Sequence, residues 1–381
     1  MSSKFKLLAI LALAGSAFGQ RYTISTINPA APDGKALQQG MSEEDPAKKL
    51  ALLEQYITEF GGKDKMSTGW ALTQMEGLYQ KAGNYDKVVE TSNKLLSMDG
   101  SDLDAAYAAL KASEAKKDAD GIIKWSGVTS DIAQKTIAKP KTGNEEEWKA
   151  AVDYAKQVDT YTEYSLYSTA LQSTDAGRVM QLVETLNQHN PKSQYLAQTL
   201  GKYAQSAQQA KQMPHAAAFG EQVYANGQLN EDLLLAMSDY YMAQKTQMAK
   251  AALYGSKAAE FVAAKSKPDG ISDADWDKKK VSVIGLGNWM AGVSYASDNK
   301  FEQADKALRV ALPNVQDNLT LKATTLFYLG LADYKLGQAT KSKTMINDAY
   351  KFSQQSAAMK SPVQDQAAKN VLVIKKEFKL N

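Results

Sequence analysis

Cysteine is absent from all 381 residues, and histidine occurs only as His189 and His215. Without thiols there is no disulfide framework, no thiolate nucleophile and no lipid attached through an N-terminal cysteine. Two histidines far apart in sequence, outside any HExxH-type spacing, argue against a zinc centre and read as exposed turn residues. P-loops and GxSxG elbows are missing too. An excess of one charge is also lacking, since 45 basic residues face 42 acidic ones. A nucleic-acid partner is therefore not indicated. Acid pairs such as Glu43-Glu44 and Asp273 with Asp275 are accounted for by helix capping, so nothing here calls for an enzyme, a cofactor or a metal.

The one strongly apolar run is N-terminal and short. Lys4 and Lys6 precede an apolar stretch over 7–14, and Ala17-Phe18-Gly19 precede Gln20. This is the pattern of a secretory signal over residues 1–19, cut between Gly19 and Gln20. Its removal would leave 43 basic against 42 acidic residues. No later run reaches the roughly 20 apolar residues of a membrane-spanning helix, so the expected product is exported, periplasmic or secreted, and soluble. The Pro- and Gly-rich stretch that follows, 20–44, reads as a flexible leader.

From Asp45 onwards the apolar residues recur at helical spacing. Asp45-Pro46 marks a helix start, and Leu50, Leu53, Tyr56, Ile57 and Phe60 share one face up to Gly61-Gly62. In 70–100, Leu72, Met75 and Tyr79 form one face before Gly83-Asn84, and Val88, Val89, Leu95 and Leu96 another after it. Similar two-helix segments follow at 160–193, 194–227, 231–265, 285–318 and 323–356. Leu200-Gly201 and Leu329-Gly330 sit at corresponding places, and Asn190-Pro191 closes a unit.

These segments of about 34 residues resemble tetratricopeptide (TPR) repeats, helix-turn-helix units that stack because one hairpin cannot bury its own apolar face. The resemblance implies an all-α, right-handed superhelical solenoid of antiparallel helix hairpins, acting as a protein-protein interaction scaffold. It also implies that the Leu-Gly glycines let paired helices touch. The expected organisation is N-terminal repeats over 45–137, a linker at 138–144 containing Pro140 and Gly143, central repeats over 145–265, and C-terminal repeats with a capping helix over 271–381.

One stretch invites another reading. Residues 281–292 run into Gly285, Gly287 and Gly292, like the strand-then-glycine opening of a dinucleotide-binding fold, with Asp305 about 20 residues on. Met290 stands in place of the third glycine, and no other segment reads as a strand of a βαβ unit. Gly292 is also in phase with Gly330 as a repeat glycine.

In the TPR family the first helix of each hairpin builds the concave face. Carried over position by position, that face would include Tyr161, Tyr164, Tyr195, Gln198, Lys202, Gln205, Trp289, Phe327 and Tyr334. Aromatics and amides suit an extended peptide, although tyrosine at helical spacing equally suits the core between repeats. The expected function is a non-catalytic scaffold or adaptor of the bacterial cell envelope, binding a protein or peptide. A self-assembling structural protein is the alternative, with a homo-oligomer as its product.

Overall fold

The computed structural model describes residues 21–24, 27–141 and 143–379. The expected signal over 1–19 and its cleavage at Gly19 and Gln20 lie outside these residues. Among them the chain forms seventeen helices and no strand. They are α1 (Pro32–Ser42), α2 (Pro46–Phe60), α3 (Lys65–Lys81), α4 (Tyr85–Met98), α5 (Leu103–Ala115), α6 (Ala119–Ile137), α7 (Glu145–Gln172) and α8 (Ala176–His189), then α9 (Leu196–Gln209), α10 (Met213–Ala225), α11 (Glu231–Gln244), α12 (Met248–Ala264), α13 (Asp273–Ser297), α14 (Phe301–Asn314), α15 (Leu319–Thr340), α16 (Lys343–Ala357) and α17 (Gln364–Phe378).

Short polar side chains start these helices. Asp45 accepts from the amides of Ala47 and Lys48 with Pro46 behind it, and Asp64, Asn84, Asp102, Asp118, Asn230, Ser272, Asn318 and Ser342 cap in the same way. Each such cap satisfies amides that the helix leaves unpaired, at about 1 kcal/mol apiece. The other ends have their own regularity. Left-handed residues close α3 (Gly83), α5 (Lys117), α9 (Lys211), α11 (Lys245), α13 (Asn299), α15 (Lys341) and α17 (Lys379). These seven helices are odd-numbered and five of their closing residues are lysines, while left-handed glycines follow two even helices, α2 (Gly62) and α10 (Gly227).

Contact-rich regions divide the chain into two compact units. One holds the described residues through Gln172 together with Gln188–Asn190, and the other holds Ser173–Asn187 and the described residues from Pro191 onward. Within each, helices other than α8 pack on their sequence neighbours, and odd-numbered helices also meet one another. In the first unit α5 meets α7; in the second α9, α11, α13, α15 and α17 meet in succession. Odd helices thus share a face, and even helices back them.

The unit boundary does not fall at 138–144. That stretch is a loop, but the helices it joins pack closely through Ile132, Ala133, Ala155 and Val158, and Trp148 Nε1 donates to the Lys139 carbonyl at 3.3 Å. Proline and glycine interrupt the helix there without parting its neighbours. The expected start of a repeat at Thr160 likewise lies inside α7, a single helix of 28 residues. Nor does 265–271 separate a third part, because α12 and α13 cross with backbone against backbone. A Cβ on Gly287 would stand 2.5 Å from the Gly255 carbonyl oxygen.

That crossing also disposes of the dinucleotide reading. Residues 281–292 are wholly inside α13, and their glycines are helix-packing points. Gly285 lies against the Asn314 backbone, Gly287 against Gly255, and Gly292 against Leu308. Of the two Leu-Gly glycines, Gly330 does face its paired helix, with Ser353 Oγ 2.6 Å from where a Cβ would stand. Gly201 instead faces Asn230 and Asp232 at the start of α11, so it spaces α9 from the next odd helix.

The stretch 20–44 is not a flexible leader over its described residues. Pro32 starts α1, whose Leu37 is buried with Leu53 and Tyr56, and Tyr22 packs where Gly69 has no Cβ. Arg21 pairs with Asp99 and donates to Ser101. Burying a leucine contributes roughly 1.5–3 kcal/mol, enough to hold a short helix that carries no side-chain cap.

Candidate functional site: a cleft on the odd-helix face

The second unit has a cleft of 970 Å³ whose walls come from three odd helices and the end of α12. From α9 come Gln198, Gly201, Lys202, Gln205 and Gln208, which recur every three or four residues and so form one stripe along the helix. Asn230, Glu231 and Asp232 at the start of α11 face them, with Phe261, Lys265 and Lys279 alongside. Gly201 makes this approach possible. A Cβ there would stand 3.0 Å from Asp232 Oδ2.

Glu231 is the electrostatic centre of the cleft. It is 1 % exposed, with Lys279 Nζ at 2.7 Å and Lys265 Nζ at 3.0 Å. Burial pushes its carboxyl up, but the hydrogen bonds from Lys279, its own amide and Lys265 outweigh that and hold it below the usual range. Asp232 lies 3.5 Å from Lys279. With Lys202, three lysines and two carboxylates line the cleft beside a row of neutral amides.

Of the nine positions expected on the concave face, three meet here: Gln198, Lys202 and Gln205. The others do different work. Tyr161 donates to Glu114 at 2.8 Å, receives Lys111 Nζ at 2.6 Å and meets the Tyr107 ring edge-on. It ties α7 to α5, and burial first, then the Glu114 carboxylate, push its phenol far up. Tyr164 stands between the rings of Tyr161 and Tyr167 at 6.0 and 6.2 Å. Tyr195 precedes α9, its amide donating to Ser193 Oγ. Trp289 is half-buried beside Val293 and Leu329, while Phe327 is 8 % exposed and belongs to the core. Tyr334 donates to Glu377 at 2.5 Å and meets Phe378 edge-on, so it fastens the last helix.

Neither histidine is simply a turn residue. His189 is partly buried, its Nδ1 has no partner among the described residues, and desolvation pushes its pKa down. His215 sits 2.8 Å from Glu184 Oε1, the carboxylate to which the Tyr203 hydroxyl also donates.

What the sequence did not reveal is the acidic and lysine half of the cleft. Asn230-Glu231-Asp232 is legible as a helix start, but Lys265 and Lys279 reach Glu231 from 34 and 48 positions away. Only packing brings them there.

Hairpins in succession, odd helices meeting along one face and Gly330 against its paired helix are the features of a repeat array. The chain is an all-α, TPR-like helical-repeat protein. No family model and no curated protein matches it. Among solved structures it is similar to the TPR domain of P58(IPK), at 11% identity over 92% of this chain and 99% of that one, with a TM-score of 0.25. It is also similar to a chain of the APC/C hetero-tetramer Cut9-Hcn1, at 13% identity over 91% of this chain and 71% of that one, with a TM-score of 0.22.

Proposed function

We propose that this TPR-like protein is a non-catalytic interaction scaffold that holds an extended segment of a partner protein in the cleft of α9, α11 and α13. The observation that carries this is the stripe of Gln198, Lys202, Gln205 and Gln208 facing Asn230 across an open groove. Successive residues of the stripe rise about 4.5–6 Å along the helix, short of the roughly 6.6 Å that separates alternate residues of an extended chain by a margin that long Gln and Lys side chains span. Amides can therefore meet successive backbone groups of such a segment, as donors and as acceptors.

The same reading places the protein outside the cytoplasm, in a bacterial cell envelope, with residues 1–19 as its export signal. Sequencing the N-terminus of the protein recovered from a periplasmic fraction tests this part. A mature start at Gln20 is expected, and an intact Met1 in the cytoplasm would reject it.

Affinity capture with brief crosslinking tests the cleft. The bait is the full chain, set against a variant with Gln198, Lys202 and Gln205 all changed to Ala. Partners retained by the first and lost by the second are expected. Equal capture by both would move the interaction elsewhere, and recovery of the bait alone would favour self-assembly.

A further inference from the structure

The first unit has a cleft of its own, which the proposed function does not use. It measures 390 Å³ and opens among the odd helices α3, α5 and α7, with Arg21 and Tyr22 at its edge. Its chemistry is the reverse of the other cleft. Arg21 is the single cation, against Asp102, Asp104 and Glu76 in the lining and Asp99 just behind.

Arg21 is already committed, to Asp99 and to the Ser101 hydroxyl and carbonyl, with Asp102 3.8 Å from its Nε. Asp104 accepts from the Tyr154 hydroxyl at 2.6 Å. Glu76 is left. The residue is 8 % exposed and lines the cleft, and its carboxyl accepts one hydrogen bond, from Ser92 Oγ at 2.6 Å. Burial pushes it up to about 8, against the pull of Ser92. An acid held this deep with no cation beside it destabilises the fold whenever it ionises. The walls around it are aromatic, from Trp70, Tyr22 and Tyr154.

We propose that this cleft is a binding site for an organic cation, an alkylammonium or guanidinium group that pairs with Glu76 and Asp104 while its carbon chain packs on Trp70 and Tyr154. Four observations converge on that class of ligand. Carboxylates outnumber the one arginine, and that arginine shows a guanidinium accommodated at the rim. The ring faces attract cations and also cover methylene groups. The volume suits a ligand the size of one long side chain. Glu76 offers an acceptor for which the described residues supply no cationic donor. A bare metal ion fits less well, since no three acidic or histidine side chains converge among the described residues.

Binding has a proton signature. At neutral pH the Glu76 carboxyl is largely protonated, and pairing with a cation favours its ionised form, so the proton leaves to the buffer as the ligand enters. The groups facing Glu76 are Ser92 from α4, Asp102 and Asp104 at the start of α5, Tyr154 from α7, and Arg21 and Tyr22 from the N-terminal segment. Burial puts the Glu76 carboxyl at about 8 and also holds Asp102 above its usual range, so affinity rises with pH towards about 8 and levels off above it.

Calorimetric titration of the full chain with n-butylammonium and N-butylguanidinium tests this, with uncharged n-pentanol as control and with buffers of differing ionisation heat. Saturable binding of the cations, weak binding of the alcohol and proton release are expected. Glu76→Gln should weaken cation binding by about tenfold or more and abolish the proton release. Lys306→Ala, an exposed position on α14 of the other unit and outside both clefts, should leave both unchanged. If Glu76→Gln fails to fold, Asp104→Asn serves, with weaker binding but proton release retained. Comparing N-butylguanidinium with the tripeptide Ala-Arg-Ala separates a free solute from a side chain presented by a protein, according to which binds more tightly. No saturation by either cation, equal binding of pentanol, or undiminished binding by both carboxyl variants would overturn the proposal.

Discussion

Glu76 and Glu231 are both buried glutamates on odd helices, one in each unit, and they end in opposite states. Glu231 has two lysines within 3.0 Å and its pKa lies below the usual carboxylate range. Glu76 has a serine hydroxyl and its pKa is up at about 8. Burial opposes charge in both cases, so depth alone does not set the outcome. The cation alongside does, and one cleft is built with its counter-charge while the other lacks it.

The comparison can be broken most severely by making the second cleft like the first. Changing Lys265 and Lys279 together to Met leaves Glu231 buried and unpaired, for an expected loss of about 3–5 kcal/mol near neutral pH. Urea unfolding measures it, and the loss should shrink as acid protonates the stranded carboxyl.

Glu76 predicts an effect of comparable size with a definite sign. Its folded pKa of about 8 exceeds the ordinary 4.5, so the folded state binds the extra proton between those values. Its contribution to stability therefore falls as pH rises through that window, by on the order of a few kcal/mol in total. Glu76→Gln should remove that fall, so the variant should gain on the parent as pH increases. An unchanged difference between the two from about pH 5 to about pH 8 would show that Glu76 ionises normally.

Close approaches differ between the units as well. In the second, Gly287 meets the backbone of Gly255, which cannot retreat without parting α12 from α13, so Gly287→Ala should cost about 1–3 kcal/mol. In the first, Gly69 meets the Tyr22 ring, which can swing aside. Gly69→Ala is expected to cost less and to release Tyr22, detectable as faster proteolysis near Arg21. Smallest of all is Lys202→Ala, a half-exposed position where stability should change by less than about 0.5 kcal/mol while partner capture declines.

Much of the array was legible because its signals are local. Asp45-Pro46, Gly83-Asn84 and the apolar faces of 70–100 each state a helix start, a turn or a stripe within a few residues, and the helices form there. Signals that depend on distant packing were not legible. Pro140 and Gly143 interrupt the chain but do not separate α6 from α7. A short apolar set around Leu37 looks like leader until Leu53 and Tyr56 cover it. The glycines of 281–292 have the spacing of a phosphate loop, and only the neighbouring Gly255 shows that they serve a helix crossing. The site divided in the same way. The polar stripe on α9 follows from helical spacing, whereas the lysines around Glu231 and the depth of Phe327 depend on which helices lie alongside.

The left-handed residues that close the odd helices give this protein a set of tuning points outside the lining of either cleft. An L-residue in that conformation is strained by roughly 1 kcal/mol relative to glycine. Lys117, Lys211, Lys245, Lys341 and Lys379 each retain that strain at a separate turn. In an array whose stability sums over neighbouring hairpins, relief at well-separated corners adds nearly independently. Thermal tolerance could thus be raised in graded steps, one corner at a time, while both binding faces keep their sequence. A lysine at a helix C-terminus also complements the helix dipole, so each step would surrender a few tenths of a kcal/mol of that attraction.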